Sequence, residues 1–160
     1  MAKNQMFSRM NQAALARLAG RDPREIARNA GVRYDEEKQV FHVSSLGMDV
    51  TIHYPDYSFT QELPGWHSLV ILHYLDLADG FPLSGKEIPF GQMKSGIVRG
   101  GGIDRRCELA IQNLKNLSED TLTKICENIG GEPIASNADV AYRIPFLPLF
   151  PVTLKIWLPD

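Results

Sequence analysis

The sequence predicts an α+β fold, and three observations carry that prediction. Helical and strand-like periodicities arrive in blocks, ααββα and then ααββ, without the strict alternation that builds a parallel sheet. The strand-like blocks read as hairpins. The segment Trp66–Asp79 is the longest apolar run available for a helix, and it is apolar nearly all the way round. The expected architecture is a curved antiparallel sheet packed against this central buried helix, with helices over residues 5–30.

At 160 residues the chain is sized for a single domain burying roughly two thirds of its unfolded surface. Apolar residues make up 44% and charged residues 22%, the ordinary balance of a globular protein. A formal net charge of −2 offers no general attraction to nucleic acid or anionic membrane, so neither is expected as a partner. No stretch reaches the roughly 20 apolar residues of a membrane helix. Met1–Ala19 lacks the apolar core of a signal peptide. Cys107 and Cys126 suit a reducing compartment, although they could in principle pair, and a cytoplasmic location is expected.

Met6, Met10, Ala13, Ala14 and Leu18 recur at helical spacing, and Gly20 stops that helix. Asp22-Pro23 reads as an N-cap followed by proline at the first helical position, opening a second helix that ends at Gly31. Arg17, Arg21, Arg24 and Arg28 make this region locally basic, most simply as a solvated helix surface. From Gln39 the period becomes two. Closing a four-residue loop over Ser44–Gly47 pairs Val43 with Met48, Phe41 with Val50 and Gln39 with Ile52, and places His42 opposite Asp49. That register gathers the large apolar side chains on one face.

Within the central segment, Ser68, Ile71, Leu72, Leu75 and Ala78 share one face, and Trp66, Leu69, Val70, His73 and Leu77 share the other. Such a helix is expected to lie between two layers, ending at Gly80. Lys86–Phe90 is at best a short edge strand, because of Pro89. Asp104–Leu114 and Ser118–Ile129 read as helices, the second capped by Ser118. Val140–Ile144 and Val152–Trp157 read as strands. Pro145, Pro148 and Pro151 between them fall at polyproline II spacing, yet their apolar neighbours favour packing on the core, lining a cavity or meeting a partner.

Leu72-His73-Tyr74-Leu75, Ala78-Asp79-Gly80, Pro82-Leu83-Ser84-Gly85 and Ile88-Pro89-Phe90, in that order, resemble the prokaryotic family known as domain of unknown function 3786. The closing Pro145–Pro148 and Ile156-Trp157 stretch is similar to that family's C-terminal segment, and the resemblance covers about residues 60–160. The family usually has an aromatic residue at Glu87 and a basic one at Gly91. Members usually run on past Trp157, so a continuation beyond Asp160 is expected. The family has no established activity. Its occurrence in anaerobes that use corrinoid methyl transfer implies at most a corrinoid-related role. The iron–sulfur label on some relatives does not carry over, since Cys107 and Cys126 fall short of four thiolates, and no cluster is expected in this chain.

His73 is the leading candidate metal ligand. Among Trp66, Leu69, Val70 and Leu77 its neutral imidazole keeps one nitrogen free to coordinate, as an axial ligand to cobalt or iron does. The plainer account is a core histidine hydrogen-bonded to backbone or tyrosine. His67 and His73 do not face together, and the four histidines lack the spacing of a dedicated zinc or iron site. His53 is the second candidate ligand. Arg99, Gly100, Gly101, Gly102 and Arg105 form a glycine–arginine stretch before a helix, suited to carboxamide or phosphate contact, although Asp104 opposes an anion there. The plainer account is a loop ended by an Asp cap. Cys107, Ser84 and Ser95 lie in no recognised nucleophile context, so an enzyme is the weaker class.

The leading expectation is a non-catalytic binder of a corrinoid (cobalamin) or related tetrapyrrole, with Trp66 alongside His73. The alternative is an accessory domain that binds a protein partner, an anaerobic redox, iron–sulfur or methyl-transfer enzyme, through Phe146 and Phe150.

Overall fold

The structure, a computed structural model, describes residues 2–89, 92, 105 and 109–159. The fold is α+β with antiparallel strand pairing, and its strands make two three-stranded sheets. The chain forms two compact units: Met1–Pro82 with Pro145–Pro151, and Leu83–Ile144 with Val152–Asp160.

The first unit opens with α1 (Ala2–Leu18), which buries Ala14 and Leu18. Helix α2 (Pro23–Ala30) starts where the sequence places it. The Asp22 carboxylate accepts the Arg24 N–H at 2.9 Å, proline occupies the first turn, and Gly31 closes the helix at φ 63°. Such a cap is worth about 1 kcal/mol. Strands β1 (Arg33–Asp35), β2 (Val40–Ser45) and β3 (Met48–His53) follow as a meander.

The β2–β3 register differs from the sequence expectation. Phe41 pairs with Ile52, Val43 with Val50 and Ser45 with Met48, around the two-residue turn Leu46-Gly47. Both turn residues have positive φ, 51° and 76°, as a type I′ turn requires. The displacement is two residues, so side-chain parity survives and Phe41, Val43, Val50 and Ile52 still share the buried face. His42 now opposes Thr51, and reaches Asp49 diagonally, Nδ1 to Oδ2 at 3.3 Å.

Helix α3 (Gly65–Leu77) begins after Pro64 without a side-chain cap and ends before Asp79, because Ala78 is extended. Ile71, Leu72 and Leu75 enter one core with Ala14, Leu18, Ile26, Phe41, Val43, Val50 and Ile52. Each fully buried aliphatic side chain there contributes about 1.5–3 kcal/mol. The expected burial of both flanks is corrected at the helix ends: Leu69 is buried, but Trp66 is 48% and Leu77 69% exposed. Apolar composition alone does not close a helix face; a neighbouring layer must cover it.

In the second unit, residues 109–114 are helical and α4 (Glu119–Asn128) starts at Ser118, whose hydroxyl accepts the Thr121 N–H. Leu122 and Cys126 are its buried residues. The second of the two sheets has the order β4 (Glu132–Pro133), β5 (Val140–Leu147), β6 (Phe150–Ile156). Pro145 and Pro151 lie within strands, and Pro148-Leu149 forms a two-residue turn, so the polyproline spacing belongs to a hairpin tip. The 86–89 segment is not a strand, and Phe90 is outside the described residues. Glu87 is nevertheless tied to β6: it accepts from Thr153 Oγ1 at 2.6 Å and meets Lys155 Nζ at 3.5 Å. The Thr153 hydrogen bond, then Lys155, lowers its pKa.

Candidate functional site

The first unit holds the expected histidines, and they have four different fates. His53 extends from the end of β3 into solvent, with Nε2 2.8 Å from Thr60 Oγ1. His42 is occupied by Asp49 across the hairpin. Neither shares a partner with the other.

His67 carries a role the sequence reading missed. It is 2% exposed and lies 2.8 Å, Nε2 to Oγ, from fully buried Ser45. The Ser45 hydroxyl donates to the Phe146 carbonyl at 2.7 Å. With its only proton committed there, Oγ accepts from His67, which fixes the tautomer as Nε2–H. The ring stacks with Trp66 (4.9 Å) and with Phe146 (6.4 Å), and burial lowers its pKa. A catalytic serine gives its proton to the imidazole. Here the polarity is reversed, so the pair is a strut between the β2–β3 turn, the first turn of α3 and the 145–151 tip. The Leu46 N–H adds a bond to the Pro145 carbonyl, 3.2 Å long. The overlooked signal was the i, i+4 line His67–Ile71–Leu75, all buried.

His73 is the opposite case. Its residue is half-buried, but its Nε2 atom is closed to solvent and has no hydrogen-bond partner. The only other described side-chain atom in that condition is Asn11 Oδ1, on α1. Leaving a buried polar atom unpaired costs about 1–3 kcal/mol, so such an atom in a native fold calls for a reason. One turn further along α3, Asp76 is fully engaged. Its carboxylate accepts Arg17 Nε at 2.6 Å and lies 3.6 Å from Arg21 Nη1, which also donates to the Asp76 carbonyl at 2.9 Å. Tyr74 is likewise satisfied, donating to the Ala30 carbonyl and accepting the Leu149 N–H. Tyr74 and Asp76, the polar residues next to His73 along α3, are therefore already engaged. Trp66, two turns before it, presents an exposed ring.

Of the other expected residues, Arg105 is exposed and helical, while Arg99, Gly100, Gly101 and Gly102 lie outside the described residues, as does Cys107. Cys126 is buried, and desolvation raises its pKa, so it stays a thiol. Phe146 packs against the first-unit core; of the expected Phe146–Phe150 surface, Phe150 is the exposed member, at 45%. Among the described residues, no three His, Cys, Asp or Glu side chains converge as a metal site, and no helix is long and apolar enough to cross a membrane.

A model of the protein family described as "Domain of unknown function (DUF3786)" matches residues 22–160. The chain belongs to this family. The match begins well before residue 60, so the DUF3786 region takes in α2 and the β1–β3 sheet as well as α3 and the C-terminal hairpin. No curated protein and no solved structure matches the chain.

Proposed function

We propose that this DUF3786 protein is a non-catalytic binder of a metal-bearing planar cofactor, a corrinoid or related tetrapyrrole, with His73 as its axial ligand. The observation that supports this reading is the unpaired, desolvated Nε2 of His73. A lone imidazole serves as the whole protein contribution to a metal only when the cofactor ring supplies the other donors, as haem and corrinoids do. The exposed Trp66 ring, on the same helix flank two turns away, offers a flat apolar neighbour for such a ring. Nε2 is shut off from solvent in the ligand-free protein, so binding requires the half-buried imidazole to turn outward.

The test is titration of the anaerobically purified protein with hydroxocobalamin and with haemin, followed by absorbance. The expected result is a ligation shift that His73→Ala abolishes and His53→Ala leaves in place. Absence of any shift with both compounds, or a shift indifferent to His73→Ala, overturns the reading.

A further inference from the structure

A cleft of about 260 Å³ opens in the first unit between the start of α2 and the turn after β1, lined by Asp22, Arg24, Tyr34, Glu36, Gln39 and Tyr54. Its aromatic wall is anchored to the core. Tyr34 and Tyr54 meet edge to face at 6.2 Å. Behind them, Tyr34 lies 4.9 Å from buried Phe41, and Tyr54 lies 6.0 Å from buried Tyr57. Rings held this way need little ordering when a ligand arrives.

The rim is charged. Arg24 and Glu36 form a two-pronged pair, Nε–Oε1 and Nη2–Oε2 both 2.7 Å, which spends the guanidinium. Asp22 uses Oδ1 to accept the Arg24 backbone N–H. Two carboxylates thus face one guanidinium. At the Tyr34 hydroxyl, burial first, then Tyr54 and the Glu36 carboxylate, raise the pKa against the opposing pull of Arg24. Among the lining side chains, the carboxylates of Asp22 and Glu36 outnumber the single guanidinium of Arg24.

We propose that this cleft is a binding site for a small organic cation, an ammonium or guanidinium group seated against the Tyr34 and Tyr54 rings and the Asp22 carboxylate. Tyrosine faces attract such cations through the ring quadrupole. The volume lies below the roughly 300–1,000 Å³ of drug-sized ligand pockets, so the cleft admits a head group or one side chain. The same chemistry comes from a free amine or from an arginine or lysine side chain of a peptide.

Two-dimensional amide NMR of the full chain tests the site, with agmatine, an arginine-containing tripeptide and a neutral isostere of agmatine as probes. The expected result is saturable shifts confined to the amides around Asp22, Tyr34, Gln39 and Tyr54, for the cations and not for the isostere. Tighter binding of agmatine or of the tripeptide identifies the source. Asp22→Asn keeps the helix cap, because asparagine caps as well as aspartate, and removes the charge. It is expected to weaken binding about two- to fivefold, the worth of an exposed ion pair, with an unchanged melting temperature. Tyr34→Leu, checked for folding in the same way, should weaken it at least as much. Absence of localised shifts, equal shifts with the isostere, or full affinity in both folded variants overturns the proposal.

Discussion

The Ser45 hydroxyl and the His67 imidazole, 22 positions apart and both shut off from solvent, meet at 2.8 Å with the histidine as donor. The Ser45 proton continues to the Phe146 carbonyl, so one short chain of hydrogen bonds holds three segments that are distant in sequence. Removing its middle member leaves two buried groups without partners. Ser45→Ala is therefore expected to lower unfolding stability by about 1–3 kcal/mol, measured by urea denaturation. A loss below a few tenths of a kcal/mol would mean that the chain is not formed in solution.

The same arrangement sets a pH dependence. Burial holds the His67 pKa below its unfolded value of about 6.5, so the unfolded chain binds more protons between the two. The stability that His67 contributes is then fully present above about pH 6.5 and is lost as the pH falls through the window below it. Urea midpoints at pH 7.5 and 5.5 should show a drop in the parent protein and a smaller drop in His67→Gln. An equal drop in both rules out His67 as its source.

Asp76 supplies a second link, between α1 and α3. Its side chain is only 4% exposed, although Arg17 and Arg21 reach it from partly open positions. Asp76→Ala is expected to cost about 1–3 kcal/mol, as for hydrogen bonds to a charged group. Arg17→Ala should cost less, because Arg21 remains. Raising the salt concentration should change the Asp76→Ala penalty little, since a desolvated carboxylate is poorly screened. A penalty that vanishes in high salt would make the link an ordinary surface pair.

Much of the fold was legible because its signals are local. Asp22-Pro23 with Gly31, and Ser118 with Thr121, declare their helix ends through backbone chemistry within a few residues. The β2–β3 faces were legible through period two, but the register was not. Both candidate turns keep the same parity, and the choice depends on Leu46 and Gly47 adopting positive φ. Strand β1 has one apolar residue, Tyr34, and is defined by its pairing with β2. At the candidate site, the sequence singled out His73 on its flank of α3. It did not distinguish His67, whose importance comes from Ser45 and Phe146, residues that only the fold brings near.

Gly131 tests the second unit. A Cβ there would lie 2.6 Å from the Cys126 carbonyl oxygen and 2.9 Å from Ile144 Cδ1, where α4 passes into β4. The Gly131 N–H already bonds that carbonyl at 2.8 Å, so the backbone has little room to retreat. Gly131→Ala should destabilise by about 1–3 kcal/mol, the usual range for overpacking. Gly65→Ala is the control, because nothing lies within 4 Å of its Cβ position. Equal melting temperatures for the two variants would show that the α4–β4 junction is looser than its geometry.

His73 and Asn11 separate a binding residue from a structural one. A core histidine that holds the fold through a hydrogen bond loses stability when replaced by an apolar residue, because its partner is stranded. The buried Nε2 of His73 and Oδ1 of Asn11 have no such partners to strand. His73→Leu should therefore leave the stability of the ligand-free protein unchanged or raise it, by up to about 1–3 kcal/mol, the cost of a desolvated unpaired group. Asn11→Leu should behave similarly, helped by leucine's better helix propensity. The two variants then part. Only His73→Leu should lose the spectral response to hydroxocobalamin or haemin, because only the imidazole can ligate a metal centre. Thermal melts of the three proteins without and with ligand read both effects: stabilisation by ligand is expected in the parent and in Asn11→Leu, and not in His73→Leu. If His73→Leu destabilises the ligand-free protein by more than 1 kcal/mol, the imidazole is a structural element and the binding role assigned to it fails.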